Sequence, residues 1–381
     1  MDDRSAIIFA GGGTGGHIFP NLAVLERLRE RGIACDPYFF VSSRPLDAAI
    51  LSEAGHRATP LTIEPPGSRP WYWPRRLGRG LAGLRLATRT TATSGARAMV
   101  VTGGFVSMAA AHAARRCNVP LAVVNLDAVP GRANRHLGSR ADKIFTAAPW
   151  PAQPHAVPIG VPLRRCAVGG GDVAASRRGL GLDPHRDTLL VVGGSQGAAT
   201  LNALGPALAG ADMNILSTWQ WLHLAGSEEA AEVVRTAYRR ASVSAVVLAF
   251  THAMGPVWRS ATLALSRAGA GSVAEAWANE VPTVFLPYPH HRDQHQRLNA
   301  LPMADVGAAL ILEDRVDVEM NARAVVAGIE PIIAEPQRLA TMRRALVRGQ
   351  PGDGAEAVAA WVAEIVGSPT IAHHEHGDEG V

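Results

Sequence analysis

The sequence is poor in cysteine, in lysine and in long apolar runs. Its 3 cysteines among 381 residues are too widely and irregularly spaced to indicate a disulfide framework or a zinc site. No apolar run approaches the ~18–20 residues of a membrane-spanning helix, and the opening residues MDDRS are acidic where a signal peptide would be basic. These absences predict a protein of the reducing cytosol that reaches a membrane only at its surface.

Positive charge comes almost entirely from arginine, because Lys143 is the only lysine among 37 Lys and Arg residues. The arginines are scattered and form no basic blocks interleaved with aromatic residues, which argues against nucleic acid as a partner. Guanidinium groups bind phosphates bidentately, but high arginine content is also typical of a GC-rich genome. Composition alone does not separate these two explanations.

Length and hydrophobic patterning predict two α/β domains. At roughly 100–200 residues per domain, 381 residues suffice for two independent cores. Residues 6–10 are an apolar run followed by a glycine loop, after which Leu22, Leu25 and Leu28 recur at helical spacing. Residues 188–208 repeat this order of strand, glycine loop and helix. Further buried strands are predicted at residues 98–101, 121–124, 144–146, 245–248, 262–265 and 283–286. Such alternation is typical of doubly wound, Rossmann-like domains with parallel sheets.

Proline and glycine clusters indicate where the domains meet. Residues 149–162 are rich in proline and residues 168–171 in glycine, so we place the boundary near residue 163. We therefore expect an N-terminal domain over residues 1–163 and a C-terminal domain over residues 164–366. Residues 367–381 have no apolar period and are predicted to be a disordered tail, whose histidines do not indicate a dedicated metal site.

Both glycine loops are suited to phosphate binding. Glycines between a parallel strand and a helix allow close backbone approach, and the helix start directs its N–H groups and positive dipole end at the ligand. Residues 11–16 satisfy the dinucleotide pattern G-x-G-x-x-G, but the second predicted strand, residues 37–41, is followed by Ser42, Ser43 and Arg44 instead of a ribose-binding acid. Only an NADP enzyme could use that arginine, and it would leave the second loop unexplained.

Seven segments, in order, resemble glycosyltransferase family 28 of the GT-B class. They are residues 12–20 (GGTGGHIFP), 103–107 (GGFVS), 130–134 (PGRAN), 160–164 (GVPLR), 193–198 (GGSQGA), 266–275 (SRAGAGSVAE) and 287–300 (PYPHHRDQHQRLNA). The resemblance covers residues 6 to about 350. It implies two Rossmann-like domains facing across a cleft, with the nucleotide sugar mainly on the C-terminal domain.

The resemblance implies donor-binding roles for matching residues. Ser195 and Gln196 would face the diphosphate and uridine, Arg164 would bind the nucleotide at the domain junction, and Thr251 would lie beside the uracil. Glu275 would accept hydrogen bonds from the ribose hydroxyls, as an acceptor-only carboxylate can. Two further groups complete the set. N–H groups for the phosphates would come from the helix start, Ala270, Gly271, Ser272 and Val273, and the GlcNAc hydroxyls would be bound by Gln296 and Asn299. Taken singly, several of these residues also fit ordinary capping or first-turn roles.

His17 is the candidate catalytic residue. It follows the first glycine loop at a predicted helix start, and an imidazole with an ordinary pKa near 6.5 suits proton abstraction at neutral pH. The alternative is a histidine that hydrogen-bonds a phosphate or the backbone. With Thr14, Gly15 and Gly16, it forms the part of the N-terminal loop that the resemblance places against substrate.

Two segments of the N-terminal half depart from the family pattern. Residues 124–127 (VNLD) stand where the family usually has His-Glu-x-Asn, so Asp127 replaces an asparagine. Met108 follows Ser107 where the family has glycine, which prevents close backbone approach there. The resemblance implies that Asp127 and Asn134 contact the acceptor. The donor is accordingly better defined than the acceptor.

The resemblance implies transfer of GlcNAc from UDP-GlcNAc to the 4-hydroxyl of lipid I, undecaprenyl-pyrophosphoryl-MurNAc-pentapeptide, with inversion and without cofactor or metal. The sequence accordingly contains no Asp-x-Asp motif. A lipid-linked acceptor requires contact with the cytoplasmic face of the membrane, and residues 71–81 (WYWPRRLGRGL) combine interfacial aromatics with arginines suited to an anionic surface. The same segment would also fit a loop with buried tryptophans.

Three other functions stay open at this point. The chain could transfer the sugar to a different acceptor, or bind a nucleotide sugar without turnover, as the altered acceptor loop would allow. An NADP oxidoreductase is the third.

Overall fold

A computed structural model describes residues 4–13, 15–63, 73–193, 198–210 and 216–367, excluding the side chains of residues 73–77. Within those residues the chain forms two domains, each a parallel sheet with helices on both faces. The predicted pair of doubly wound domains is confirmed. Every strand pairing in both sheets is parallel. After each strand the chain crosses back to the end of the sheet at which that strand began, so the next strand runs in the same direction.

The first sheet has the strand order β3-β2-β1-β4-β5-β6-β7. Its strands are β1 (Ser5–Gly11), β2 (Cys35–Val41), β3 (Ala58–Pro60), β4 (Ala96–Gly103), β5 (Leu121–Asn125), β6 (Lys143–Thr146) and β7 (Val157–Pro158). The helices between them are α1 (Phe19–Glu30), α2 (Pro45–Glu53), α3 (Trp73–Ser94), α4 (Phe105–Arg116) and α5 (Arg132–Leu137). The order reverses between β1 and β4, and in open parallel sheets such a switch point is where ligands bind.

The second sheet has the order β10-β9-β8-β11-β12-β13. It consists of β8 (Thr188–Val192), β9 (Gln220–Leu224), β10 (Ala245–Leu248), β11 (Leu263–Ser266), β12 (Thr283–Phe285) and β13 (Ala309–Ile311). Its helices are α6 (Val173–Gly179), α7 (Ala199–Gly210), α8 (Glu228–Arg240), α9 (Met254–Ser260), α10 (Ala270–Ala278), α11 (His295–Asp305), α12 (Val318–Ile333) and α13 (Pro336–Arg348). The switch point lies between β8 and β11, so the end of β8 and the start of α10 border the same crevice.

The central strands are buried on both faces, which explains their continuous apolar runs. Ile7, Phe9 and Val100 contribute to the core on one face of the first sheet, and Ile8 and Val101 to the core on the other. A strand covered by helices on both sides needs apolar residues at consecutive positions, not at alternate ones.

The last helix, α14 (Gly354–Gly367), returns to the first domain. Ala355, Val358, Ala359 and Val362 are buried in the core that α1 shares with the first sheet. The chain crosses back where two segments touch: a Cβ on Gly354 would lie 1.7 Å from the Gly160 carbonyl oxygen, so both segments need small residues there. We expected residues 164–366 to form the C-terminal domain, but the last helix of that range packs on the N-terminal domain. The expected tail lies outside the described residues from residue 368 onward.

Arg27 connects α1 to the segment that leads back into α14, and its substitution tests this connection. The side chain is 2% exposed and donates to Asp353 at 2.8 Å and to the Leu163 carbonyl at 3.1 Å. We expect Arg27→Ala to lower the free energy of unfolding by about 2–3 kcal/mol, because it removes a buried side chain together with its packing and the hydrogen bonds that it donates to Asp353 and to the Leu163 carbonyl. Urea denaturation measures the change. Arg31→Ala is the matched control: Arg31 pairs with Glu356 of α14 on the surface, and its loss should cost less than about 1 kcal/mol. Equal losses of unfolding free energy in both variants would contradict a special stabilising role of the buried Arg27 side chain.

Candidate active site

The first glycine loop is held from three sides. Glycine is required at its start because a Cβ on Gly11 would lie 2.2 Å from Thr102 Oγ1. Asp47, on α2, accepts hydrogen bonds from the Gly13 N–H at 2.9 Å and from Ser42 Oγ at 2.6 Å. Arg44 donates to the Gly13 carbonyl. The residues after the second strand thus hold the loop, and Asp47, which the sequence analysis did not single out, is the central acceptor. Thr14 lies outside the described residues.

His17 lies in the short 3-10 helix Gly15–His17 that leads from this loop into α1. Its Nδ1 is 3.1 Å from the Thr102 carbonyl oxygen at the end of β4. Because a carbonyl only accepts, Nδ1 carries the hydrogen and Nε2 keeps a lone pair in the neutral ring. Burial lowers the pKa of His17, and the Asp127 carboxylate opposes that shift. The neutral imidazole favoured by burial is the form that accepts a proton.

The imidazole rests against the backbone of Gly103. This residue has φ of +133°, and a Cβ there would lie 2.8 Å from His17 Cε1. The glycine of the predicted segment 103–107 therefore leaves space for the ring.

The loop after β5 and the helix α5 that follows it carry the two residues predicted to contact the acceptor, Asp127 and Asn134. Asn125 Nδ2 donates to the Asp127 backbone carbonyl at 2.8 Å, and Asn134 Nδ2 donates to Asn125 Oδ1 at 3.2 Å. Asn134 is 4% exposed, so it lies beneath the loop and supports its conformation. Asp127 is half-buried and lies on the side of the cleft that holds His17.

Asn299 crosses the gap between the domains. From α11 it donates to Asp127 Oδ1 at 3.0 Å and accepts from the Ala128 N–H at 2.7 Å. It also donates to the Ala268 carbonyl at 3.2 Å, which connects it to the loop before α10. The residue predicted to read the sugar therefore contacts both the donor-side loop and the acceptor-side loop.

The start of α10 faces the first domain. Gly269 is its N-cap and makes no side-chain cap, and the first turn of a helix has N–H groups without intrahelical partners. Ala270 packs against the core of the first domain, so the predicted phosphate-binding run Ala270, Gly271, Ser272 and Val273 opens toward the cleft. Positive dipole and free amides at this position suit a diphosphate.

Glu275 lies one turn further along α10. Its Oε2 accepts from Trp258 Nε1 at 2.8 Å, and burial raises its pKa to about 7. The Glu275 carboxyl suits hydrogen bonding to sugar hydroxyls, because it accepts when ionised.

Gln296 lies in the first turn of α11. Its Oε1 accepts from the Tyr288 N–H at 2.9 Å, and this bond does not use its NH2 group.

The remaining residues predicted to bind the donor do not all lie beside the start of α10. Arg164 donates to Glu26 of α1 at 2.8 Å, at the junction of the domains. Thr251 Oγ1 accepts from the Ala253 N–H, and the neighbouring His252 contacts Glu53 of the first domain. Ser195 and Gln196 lie outside the described residues. In the part of the chain that is described, no group of three or more His, Cys, Asp or Glu is placed to hold a metal ion.

Two parallel-sheet domains with an imidazole on one wall of the cleft and a glycine-rich helix start on the other define a GT-B type of glycosyltransferase. The model of the glycosyltransferase family 28 N-terminal domain matches residues 7–146, and that of the family 28 C-terminal domain matches residues 188–357. The chain belongs to glycosyltransferase family 28.

Relatives with the same name confirm the family. A protein of Acidothermus cellulolyticus is 36% identical over 355 residues, covering 88% of this chain and 91% of the relative. Another, of Nocardioides sp., is 36% identical over 372 residues, covering 94% and 98%. Both are named UDP-N-acetylglucosamine--N-acetylmuramyl-(pentapeptide) pyrophosphoryl-undecaprenol N-acetylglucosamine transferase.

Solved structures confirm the fold. MurG of Acinetobacter baumannii superposes with a TM-score of 0.73 at 23% identity, covering 95% of this chain and 99% of that one. The calicheamicin glycosyltransferase CalG4 superposes with a TM-score of 0.63 at 16% identity, covering 97% and 100%.

Gly103→Ala tests the packing of Gly103 against His17. We expect it to reduce turnover about tenfold or more, because the added Cβ displaces the imidazole of the candidate catalytic residue and even a small misplacement of a reacting group is costly. UDP release measures turnover. Gly171→Ala is the control, since Gly171 also has a positive φ, +82°, and a Cβ there meets nothing within 4 Å. A folded Gly103→Ala enzyme with normal turnover would show that the contact with His17 does not matter.

Proposed function

We propose that this chain transfers GlcNAc from UDP-GlcNAc to the MurNAc 4-hydroxyl of undecaprenyl-pyrophosphoryl-MurNAc-pentapeptide, which forms lipid II for peptidoglycan. The names of relatives at 36% identity over most of the chain support this substrate pair. The observation that carries the proposal is the arrangement of the cleft: His17 Nε2 is available as a base on the first domain, and the helix start of α10 opens toward it from the second.

The reaction is a single displacement. The acceptor hydroxyl loses its proton to His17 Nε2 while its oxygen forms a bond to the anomeric carbon of GlcNAc. The bond from that carbon to the diphosphate breaks on the opposite face, and its electron pair leaves on the β-phosphate oxygen of UDP. Attack opposite to departure inverts the α-linkage to β.

The second domain stabilises the departing UDP. The amides and dipole at the start of α10 face the charge that develops on the diphosphate, and such preorganised donors lower the barrier without moving. We assign Glu275 to the ribose hydroxyls, and Gln296 and Asn299 to the GlcNAc hydroxyls. Binding of the sugar would then exchange some of the contacts that Asn299 makes with Asp127 and Ala128.

His17→Ala tests the assigned base. We expect turnover to fall about 10²-fold or more, as loss of a general base requires, with UDP-GlcNAc binding retained. UDP release with lipid I measures turnover, and calorimetry measures binding. His185→Ala, which changes an exposed histidine of the second domain, is the control. Near-normal turnover would remove His17 from the chemistry. Release of UDP only with another acceptor from a panel would favour a transferase with a different acceptor. Absence of UDP release with every acceptor would favour a protein that binds the nucleotide sugar without turnover.

The lipid-linked acceptor places the protein at the cytoplasmic face of the membrane, against anionic lipid. No helix in the described ranges is long and apolar enough to cross a bilayer. A cavity of about 1180 Å³ between α3, α4 and α5 is lined by apolar residues that include Leu81, Leu84 and Met108, with Arg115 and Arg140 also on its wall. Residues 73–81 of the predicted membrane segment, residues 71–81, form the first part of α3. Residues 71–72 and the side chains of residues 73–77 lie outside the description. Apolar surface beside arginines suits anionic headgroups.

Liposome flotation tests the membrane contact. We expect anionic vesicles to retain the protein and neutral vesicles to retain less, because arginine attraction adds to apolar insertion. Ser substitutions of Trp71 and Trp73 should weaken retention and lower activity on lipid substrate, while Val233→Ser, which removes an exposed apolar side chain of the second domain, is the control. Retention and activity that survive the double substitution would rule this segment out as the anchor.

A further inference from the structure

Trp258 is a buried side chain that no step of the proposed reaction uses. It lies on α9, the helix that follows the loop of Thr251, and it is 0% exposed. Its indole Nε1–H donates to Glu275 Oε2 at 2.8 Å, so the bond joins α9 to α10. An indole N–H only donates, and a buried one requires an acceptor. Its acceptor here is the carboxyl group that we assign to the ribose hydroxyls.

The position of α9 is fixed by a close crossing with the segment that connects the domains. A Cβ on Gly169 would lie 2.6 Å from the Gly255 carbonyl oxygen, and a Cβ on Gly255 would lie 2.7 Å from the Gly169 nitrogen. The two backbones therefore touch where α9 begins, and a side chain on either glycine would push the helix away. Trp258 lies one turn after Gly255, so this crossing sets the point from which the indole reaches Glu275.

Asn279 holds α10 to the same connecting segment. Its Oδ1 accepts from the Gly169 N–H at 2.6 Å, and its Nδ2 donates to the Ala167 carbonyl at 2.9 Å and to the Glu275 carbonyl at 2.7 Å. Asn279 is 4% exposed, so these bonds are made inside the protein. Both helices that meet at the bond between Trp258 and Glu275 are thus held to one stretch of backbone, which fixes the geometry of that bond.

The indole determines how the Glu275 carboxyl group presents its two oxygens. Oε2 is used by Trp258, and within the described residues Oε1 accepts no hydrogen bond, which leaves it for a ligand. Burial raises the pKa of this carboxyl to about 7, while the bond from Trp258 lowers it. A hydrogen bond donated to the ionised form favours that form. Without the indole, the carboxyl would be protonated over a wider range of pH and would accept less well.

Charged and titratable groups also lie on the elements packed against α10. They are Arg259 on α9, which pairs with Glu280; Arg164 and Cys166 on the connecting segment, the first paired with Glu26; and His295 and Arg297 on α11, the first bonded to Asp293. In the described part of the chain, none of them donates a hydrogen bond to Glu275. Burial and the indole of Trp258 are the two influences on the pKa of that carboxyl.

We propose that Trp258 is a positioning residue for the donor site: its indole N–H holds the Glu275 carboxylate in the orientation and in the ionised form that accept the ribose hydroxyls of UDP-GlcNAc. The inference rests on the proposed function, because that function assigns Glu275 to the ribose. Trp258 is fully buried and acts through Glu275.

Trp258→Phe removes the N–H and keeps an aromatic ring. We expect the pH dependence of UDP-GlcNAc binding to move to higher pH by about one pH unit, because the Glu275 carboxyl loses the donor that favours its ionised form. The dissociation constant should rise roughly tenfold at about pH 6 and much less at about pH 9. Calorimetry measures it. UDP-GlcNAc is the probe because its diphosphate is esterified at both ends, whereas the terminal phosphate of UDP itself titrates near this range.

Trp277→Phe is the matched control. Trp277 lies on α10, is 7% exposed, and its indole Nε1–H donates to the Leu346 carbonyl at 3.0 Å. The variant thus loses a buried indole bond on the same helix that does not involve a carboxyl, and it should leave the pH dependence of donor binding unchanged. Unchanged binding in Trp258→Phe, or a loss by the same factor at every pH, as a merely structural role predicts, overturns the proposal.

The same bond can be followed without this variant if Trp258→Phe does not fold, as judged by circular dichroism. In the unmodified protein, one indole N–H resonance should titrate together with the Glu275 carboxyl, at a pH of about 7. That resonance should stop titrating in Glu275→Gln, which keeps an acceptor oxygen and removes the ionisation. Absence of such a resonance overturns the proposal equally.

The readouts keep this inference apart from the proposed function. Absence of UDP-GlcNAc binding to the unmodified protein, or of UDP release with lipid I, would contradict the proposed function. The indole titration needs no ligand and tests the coupling of Trp258 to Glu275 directly.

Discussion

The hydrogen bonds of Thr102 join the parts on which the first wall of the cleft depends. Its hydroxyl donates to the His17 carbonyl at 2.6 Å and accepts from Asn21 of α1, and its own carbonyl accepts from the imidazole. The residue is 1% exposed, so each of these bonds is made in a place where an unpaired polar group would be costly. Thr102 therefore fixes the end of β4, the start of α1 and the orientation of the His17 ring relative to one another.

The second wall is connected to the first at separate places. Asn299 pairs with the loop after β5, His252 contacts Glu53 of α2, and α14 returns from the second domain to pack beside α1. The first two contacts come from segments that the family resemblance assigns to the donor. The segments that we propose to bind the nucleotide sugar thus also connect the two walls, so the proposed binding of the donor is coupled to the contact between the domains.

Strands buried on both faces were predictable from the sequence, and strands with buried polar residues were not. The apolar runs predicted β1, β2, β4, β5, β6, β8, β10, β11 and β12 because a covered parallel strand must be apolar at consecutive positions. β9 was not predicted, since Gln220 and His223 interrupt its pattern. Both are buried only because distant groups satisfy them: Gln220 bonds the Asp183 carbonyl, and His223 bonds Tyr238 and Asn202. The short strands β3, β7 and β13 gave too little pattern to recognise.

The sequence by itself determined the two-domain class, the position of the first glycine loop and the candidacy of His17, because glycine, apolar and histidine positions at these spacings reflect local backbone requirements. Tertiary structure alone decided that Asp47 holds the first glycine loop, that the Thr102 carbonyl orients His17, that Asn299 contacts Asp127, and that α14 joins the first core. These contacts join residues 34 to more than 300 positions apart. Local pattern carries no information about which distant partner a buried polar group or an apolar helix face will find.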